Sequence, residues 1–206
     1  MENKSSTCSR VCTIGHSNHT VEHFLGLLKS HEVQVVVDTR SQPYSKYATQ
    51  FDHEPLKGSL QDAGIRYLYL GRELGGRPDG DEFYDDVGHV LYDRVAATTL
   101  FQEGLTRLER GIREYNVALL CAEENPATCH RRLLVSRVLI DHGIQVEHIR
   151  GDGRIQTEEE VAAETDPDRD QLSLFQKAGA DPWKSIPSVS RKKRPRHETP
   201  SEFAST

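Results

Sequence analysis

The sequence predicts an α/β fold, a three-layer sandwich in which helices cover both faces of a mainly parallel sheet of about five strands. Short runs of apolar and β-branched residues alternate along the chain with segments whose apolar residues repeat at helical spacing. Polar loops, one of them glycine-rich, follow the apolar runs. Strands that alternate with helices in this way form parallel sheets through right-handed crossovers.

Five segments have the composition of buried strands. The second contains four valines interrupted only by Gln34, which is typical of a strand that is covered on both faces. The predicted strands are residues 11–14, 33–37, 65–70, 117–120 and 144–149.

Helices are predicted between these strands. Thr20 is a candidate N-cap for the first helix, because a Thr side chain can accept a hydrogen bond from a free backbone N–H of the first turn. Thr128 is a candidate N-cap for the last helix, predicted over residues 129–142 and stopped by Gly143. The other two predicted helices cover residues 54–63 and 101–114.

The 206 residues are predicted to form one domain with a tail. Residues 1–10 are a flexible N-terminus, residues 11–151 the α/β domain, and residues 152–206 an acidic and then basic disordered tail, compatible with one short acidic helix. The net charge is −6, and from Gln176 onward seven Lys/Arg face only three Asp/Glu, so the rest of the chain carries −10. Such a basic tail attracts nucleic acid or serves solubility.

No segment has the length and composition of a signal peptide or a membrane span, so we expect no membrane association. The four cysteines are then expected to be reduced thiols rather than a disulfide framework. These features predict a cytoplasmic protein.

Polar side chains follow each predicted strand, where parallel sheets form their binding crevice. Because several strands deliver such groups to one edge, the sequence predicts a site there. The candidate catalytic residues are His16, Asp38, Glu123, Cys129 and His130. The candidate ligand- or phosphate-binding residues are Ser17, Arg40, Ser45, Arg72, Arg77, Thr128 and Arg131.

Cys129 is the candidate nucleophile. With Thr128 as N-cap, Cys129, His130 and Arg131 would lie in the first helical turn, where free N–H groups and the helix dipole favour anions and lower a thiol pKa. Glu123 is the candidate acid or base, because burial would raise its pKa, or it forms a structural pair with one of the arginines. Asp38 is either a base or the partner of Arg40 in an internal ion pair. Both cysteines of this region could instead be packing residues.

An alternative is that Cys121, Cys129, His130 and His16 bind a zinc ion. The cysteines are separated by more residues than in closed structural sites, so no metal is predicted. No phosphate-loop or GxGxxG pattern is present, and no cofactor is predicted.

Four segments, TIGHSN, VVVDTRSQPYS, YLGRELGGRP and LLCAEENPATCHRR, resemble in this order the bacterial family described as domain of unknown function 488. The resemblance covers about residues 11–151 and implies an α/β sandwich with a shared site. Carried over by position, that site comprises His16, Ser17, Asp38, Arg40, Pro43, Ser45, Gly75, Gly76, Cys121, Glu123, Cys129, His130 and Arg131. It implies no particular reaction.

The segment QLSLF in the tail resembles the pentapeptide by which bacterial polymerases and repair proteins bind the sliding clamp. Extended apolar side chains can enter a pocket while an amide bonds at its rim. The candidate clamp-binding residues are Gln171, Leu172, Leu174 and Phe175. The same side chains could instead pack back onto the domain.

The sequence thus favours a DNA-repair or replication-associated protein that binds a nucleotide or DNA in the crevice and is recruited to the sliding clamp. The crevice and the basic tail are possible nucleic-acid contacts. The alternatives are a small-molecule thiol-dependent transferase or hydrolase with an incidental tail, or a non-catalytic adaptor.

Overall fold

The computed structural model describes residues 9–165 and 183–186. These residues form a six-stranded sheet with helices on both faces. Its strands are β1 (Arg10–Gly15), β2 (Val35–Asp38), β3 (Arg66–Tyr69), β4 (Val117–Cys121), β5 (Gln145–Ile149) and β6 (Ile155–Thr157). The α/β prediction is confirmed, and all five predicted strands are present.

The strands are arranged in the order β3-β2-β4-β1-β5-β6. The first five are parallel, and β6 alone runs antiparallel, to β5. This order places the carboxyl ends of β2, β4 and β1 side by side. The chain leaves β1 toward β2 and leaves β4 toward β5, in opposite directions, and such a change of direction opens a crevice at the strand ends.

The helices are α1 (Val21–Ser30), α2 (His53–Asp62), α3 (Tyr92–Ala96), α4 (Thr99–Glu114), α5 (Arg137–Asp141) and α6 (Glu158–Thr165). Thr20 caps α1 as predicted, because its side chain accepts a hydrogen bond from His23 N. None of the helices among the described residues is both long and apolar enough to cross a bilayer.

Two apolar cores lie on opposite faces of the sheet. Phe24 of α1 and Leu56 of α2 pack on one face, together with Val36. Phe101 of α4 packs on the other face, together with Val37. Neighbouring valines of β2 therefore point to opposite sides, and burial on both sides explains why this strand is almost entirely apolar.

Packed structure continues beyond Gly151, where the domain was predicted to end. Helix α6 is tied to the sheet by a buried chain in which Thr13 Oγ1 contacts His148 Nδ1 at 2.8 Å. His148 Nε2 contacts Glu158 Oε2 at 3.0 Å. The segment 183–186 also packs on the domain, where the Trp183 indole donates to the carbonyl of Leu133 and Arg137 lies over its ring.

The helix predicted over residues 129–142 begins later than expected. Thr128 ends a 3₁₀ turn, Pro126–Thr128, that Asn125 caps, so Thr128 is not the N-cap of the following helix. Cys129 has an extended backbone, and its carbonyl accepts from the N–H groups of Arg132 and Leu133. A π-helical segment, Arg131–Ser136, then leads into α5. Cys129 therefore lies before the first helical turn rather than within it.

Candidate functional site

The site forms where the carboxyl ends of β1, β2 and β4 meet. His16 follows β1, Arg40 follows β2, and Cys121 is the last residue of β4. The N–H of His16 donates to the carbonyl of Cys121 at 3.0 Å, which fixes the first and third of these segments side by side. All three side chains are buried.

Asp38 and Arg40 form a buried ion pair. The Arg40 Nε and Nη2 groups donate to the two carboxylate oxygens of Asp38 at 2.9 and 2.6 Å. Tyr67 also donates to this carboxylate, at 2.8 Å. Asp38 is entirely buried. Of the two roles considered for Asp38, base or partner of Arg40, the structure therefore shows the internal ion pair. Both carboxylate oxygens are engaged in these contacts.

His16 orients Arg40. Its Nδ1 donates to the carbonyl of Ser17 at 2.9 Å, so its Nε2 is the acceptor for Arg40 Nη1 at 3.1 Å. Burial and the nearby guanidinium lower the pKa of His16 to about 4. Both ring nitrogens are therefore engaged in a neutral imidazole, which makes His16 a positioning residue.

Cys121, Cys129 and His130 form a compact buried cluster. The Nδ1 atom of His130 lies 3.6 Å from Cys121 Sγ and 3.9 Å from Cys129 Sγ. The three ligand-type atoms all lie within 4.8 Å of one another. His130 Nε2 bonds the carbonyl of Thr39 at 2.9 Å, which directs Nδ1 toward the two sulfurs.

The two thiols have opposite electrostatic environments. A hydrogen bond from Cys129, followed by the His130 charge, holds the pKa of Cys121 well below its usual range despite burial. Burial raises the pKa of Cys129, and the neighbouring Cys121 adds to that effect. The expectation that the helix start would lower the pKa of Cys129 is wrong, because Cys129 precedes the helical turn and is completely buried.

A cleft of about 200 Å³ opens over this cluster. Arg40 and Arg77 contribute guanidinium groups to its wall, His130 contributes an imidazole, and Glu123 contributes a carboxyl group. Cys121 lines the cleft as well, whereas Cys129 lies behind it. Burial, then the Cys121 charge, raises the pKa of Glu123. The cleft therefore combines anion-binding groups with a carboxyl group and a sulfur.

Arg131 does not reach the cleft. It is fully buried, its Nε donates to Thr13 Oγ1 at 3.2 Å, and its terminal nitrogens donate to the backbone carbonyls of Glu123 and Glu124. These bonds hold the loop after β4 in place. The prediction that Arg131 binds phosphate is therefore replaced by a structural role.

Four other candidates lie apart from the cleft wall. Ser45 Oγ accepts from the backbone of Tyr47 and Ala48 and so shapes a turn. Ser17 contributes its backbone, donating to the Ala122 carbonyl at 2.9 Å. The cleft wall includes neither Arg72, which is exposed, nor Thr128, which is half-buried.

Two glycines allow the backbone to approach the cluster closely. A Cβ atom at Gly76 would lie 2.5 Å from the Cβ and Cγ atoms of His130. A Cβ atom at Gly15 would collide with the backbone carbonyl of Glu123. Side chains are excluded at both positions by atoms of the site itself, so these glycines belong to its construction.

Tyr92 is a residue of the site that was not predicted from the sequence. Its side chain is completely buried, its hydroxyl has no hydrogen-bond partner among the described residues, and Cys129, Glu123 and Cys121 are among its titratable neighbours. Burial, followed by the proximity of Cys129, raises the pKa of Tyr92. A tyrosine at a helix start far from any strand end gives no sequence signal of a site.

The fold and the cleft define a class of α/β protein that has a cysteine–histidine cluster at the strand ends. A family model described as "Domain of unknown function DUF488" matches residues 20–138, and the chain belongs to this family. The match includes β2 to β4 and the cluster, whereas His16 lies before it. Comparison with curated proteins and with solved structures gives no significant match.

Proposed function

We propose that this protein binds a phosphate-bearing ligand, a nucleotide or a DNA end, in the strand-end cleft. We further propose that it works in DNA repair or replication through recruitment to the sliding clamp. The observation that carries the ligand proposal is the pair of arginines, Arg40 and Arg77, on the cleft wall.

Arg40 is oriented for such a ligand. A guanidinium has five N–H donors, and the contacts of Arg40 with Asp38 and His16 use one on each of its three nitrogens. Two donors remain, and the side chain lines the cleft while being held from behind. A fixed guanidinium with free donors suits the planar, bidentate recognition of a phosphate.

Arg77 complements it from the glycine loop. Its guanidinium forms no ion pair with any other described residue, and its backbone N–H is anchored by Ser41 Oγ at 3.0 Å. The charge of Arg77 is therefore available to an anion in the cleft. Arg72, five residues earlier, has the same charge but lies outside the cleft wall.

Replacement of Arg77 by alanine tests the ligand proposal. We expect Arg77→Ala to weaken binding of a fluorescent 5′-phosphorylated oligonucleotide about tenfold or more, because a charge-assisted contact to phosphate contributes roughly 1.5–3 kcal/mol. Fluorescence anisotropy would measure the dissociation constant, with inorganic phosphate as a competitor.

Arg72→Ala is the matched control, since it removes the same charge from the same loop. It should leave the affinity within about twofold, because exposed charges away from a site contribute weakly. Equal losses in both variants, or equal affinity for the oligonucleotide without its 5′ phosphate, would indicate general charge attraction and contradict a phosphate site in the cleft.

The recruitment proposal rests on QLSLF. This motif lies outside the described residues, between α6 and the segment 183–186, both of which pack on the domain. A clamp-bound peptide would hold the cleft close to DNA and raise its effective concentration there.

A pull-down on the purified sliding clamp tests recruitment. We expect the full chain to be retained and a Leu174→Ala, Phe175→Ala double variant to be lost, because these two apolar side chains would fill the clamp pocket. A Lys177→Ala variant is the control outside the motif and should be retained. Equal retention of the double variant and the full chain would end the proposal.

A further inference from the structure

The Cys121, Cys129 and His130 cluster has the geometry of a metal site. In tetrahedral zinc sites with Zn–S near 2.3 Å and Zn–N near 2.0 Å, a sulfur and a nitrogen ligand lie about 3.6 Å apart. The two sulfur–Nδ1 distances here are 3.6 and 3.9 Å, and all three atoms fall within 4.8 Å of one another. The two sulfur–nitrogen distances are therefore close to those of ligand atoms around one zinc ion.

The hydrogen bonding of His130 is also that of a zinc ligand. Histidines that bind zinc through one ring nitrogen usually donate the other N–H to a carbonyl or carboxylate, which fixes the tautomer. His130 Nε2 bonds the carbonyl of Thr39 at 2.9 Å, so the other ring nitrogen, Nδ1, is the one that faces the sulfurs and is placed to bind a metal. Gly76 packs against the same ring and holds its position.

Three protein ligands would leave a fourth position for a water, and the cleft adjoins two of the three ligands. Cys121 and His130 both line the cleft, whereas Cys129 closes the site from behind. Catalytic zinc sites have this form, with three protein ligands and a water. Closed structural sites instead use four ligands, and His16 is not the fourth, because Arg40 engages its Nε2.

Two buried polar atoms next to the cluster also indicate a further ligand. Glu123 Oε2 and the Tyr92 hydroxyl have no hydrogen-bond partner among the described residues, although buried polar atoms nearly always have one. Glu123 lines the cleft beside Cys121 and His130. A water bound to a metal in the cleft would supply a donor to the carboxylate.

We propose that Cys121 Sγ, Cys129 Sγ and His130 Nδ1 bind one Zn²⁺, which activates a water for hydrolysis of the anionic ligand held by Arg40 and Arg77. This inference rests on the proposed ligand site for its substrate class, but the metal site stands on its own geometry. Two thiolates would balance the charge of the ion, and bound zinc lowers the pKa of a coordinated water toward 7.

Glu123 is the proton carrier of the proposed reaction. It accepts a proton from the zinc-bound water, and the resulting hydroxide attacks the electrophilic carbon or phosphorus of the ligand. The bond to the leaving group breaks, and Glu123 returns its proton to that group, so one water is consumed. In zinc-dependent nucleobase deaminases, a glutamate that is not a ligand performs this transfer from two residues after a zinc ligand. Glu123 likewise follows Cys121 by two residues.

Metal content of the full chain, purified under reducing conditions, tests the site. We expect about one zinc per chain by mass spectrometry of the metal, and a sharp loss in Cys129→Ser, because that change removes one of only three ligands. Cys12→Ala is the matched control, since Cys12 is a buried free cysteine in β1 outside the cluster, and it should keep its zinc.

Cobalt substitution keeps the test valid if Cys129→Ser folds poorly. Wild type and Cys12→Ala should show the intense sulfur-to-cobalt charge-transfer absorption and the visible bands of tetrahedral Co²⁺. Wild-type protein that binds neither zinc nor cobalt would overturn the metal site. If Cys121 of such metal-free protein also reacted rapidly with iodoacetamide, a thiol-dependent transferase or hydrolase would replace the zinc proposal. The Arg77→Ala measurement would still test ligand binding separately.

Discussion

Replacement of Asp38 by alanine is expected to destabilise the protein by about 3–5 kcal/mol, because it leaves the Arg40 guanidinium buried without its counter-charge. Arg40 is 6% exposed and Asp38 0% exposed, so the carboxylate is lost from a position where little water reaches the guanidinium. The Tyr67 hydroxyl would lose its acceptor in the same change. Urea unfolding followed by circular dichroism would measure the loss.

Removal of both charges separates the ion pair from the packing around it. Asp38→Leu combined with Arg40→Met should recover much of the stability that Asp38→Ala loses, since no unpaired charge remains. Glu54→Ala is the surface control, because the Glu54 side chain is largely exposed and its contacts with Lys57 at 4.0 Å and with His53 at 2.8 Å lie at the surface. It should change the free energy of unfolding by less than about 0.5 kcal/mol. A similarly small effect of Asp38→Ala would show that the pair does not support the fold.

Most of the sheet could be predicted because its central strands β2 and β4 are buried on both faces and consist almost entirely of apolar residues. Strand β6 gave no such signal, since its three residues include only one apolar side chain, Ile155, and it lies at the edge of the sheet. Trp183 was missed for a related reason. A single large apolar residue has no periodicity, so its packing on the Leu133 carbonyl depends on tertiary contacts that the local sequence does not contain.

The convergence of these strand ends could be predicted from the sequence, but the contacts of the individual side chains could not. Strand ends determine which segments meet, and this was enough to bring His16, Arg40 and Glu123 together. Whether an arginine faces a cleft or backbone carbonyls depends on the loop path, so Arg131 and Arg77 could not be distinguished. The cysteines depended on the helix start, which sequence patterns locate only to within a few residues.

Replacement of Gly76 by alanine is expected to disrupt the cluster more than the fold. The new Cβ would lie 2.5 Å from the Cβ and Cγ atoms of His130, which are close to the backbone and cannot swing away. The ring would have to leave the Thr39 carbonyl and the two sulfurs. Overpacking of this kind costs about 1–3 kcal/mol. We expect a lower melting temperature and, on the zinc proposal, loss of bound metal.

Gly58→Ala is the same substitution at another position, and it is expected to raise the melting temperature rather than lower it. Gly58 is exposed in the middle of α2, and a Cβ atom there would have no described atom of another segment within 4 Å. Alanine there should stabilise the protein by up to about 1 kcal/mol, because it favours the helix and meets nothing. If Gly76→Ala matched Gly58→Ala in melting temperature and metal content, contact with His130 could not be the reason for glycine at position 76. A lower melting temperature for Gly76→Ala and a higher one for Gly58→Ala would instead show that glycine is needed at position 76 because His130 lies against it.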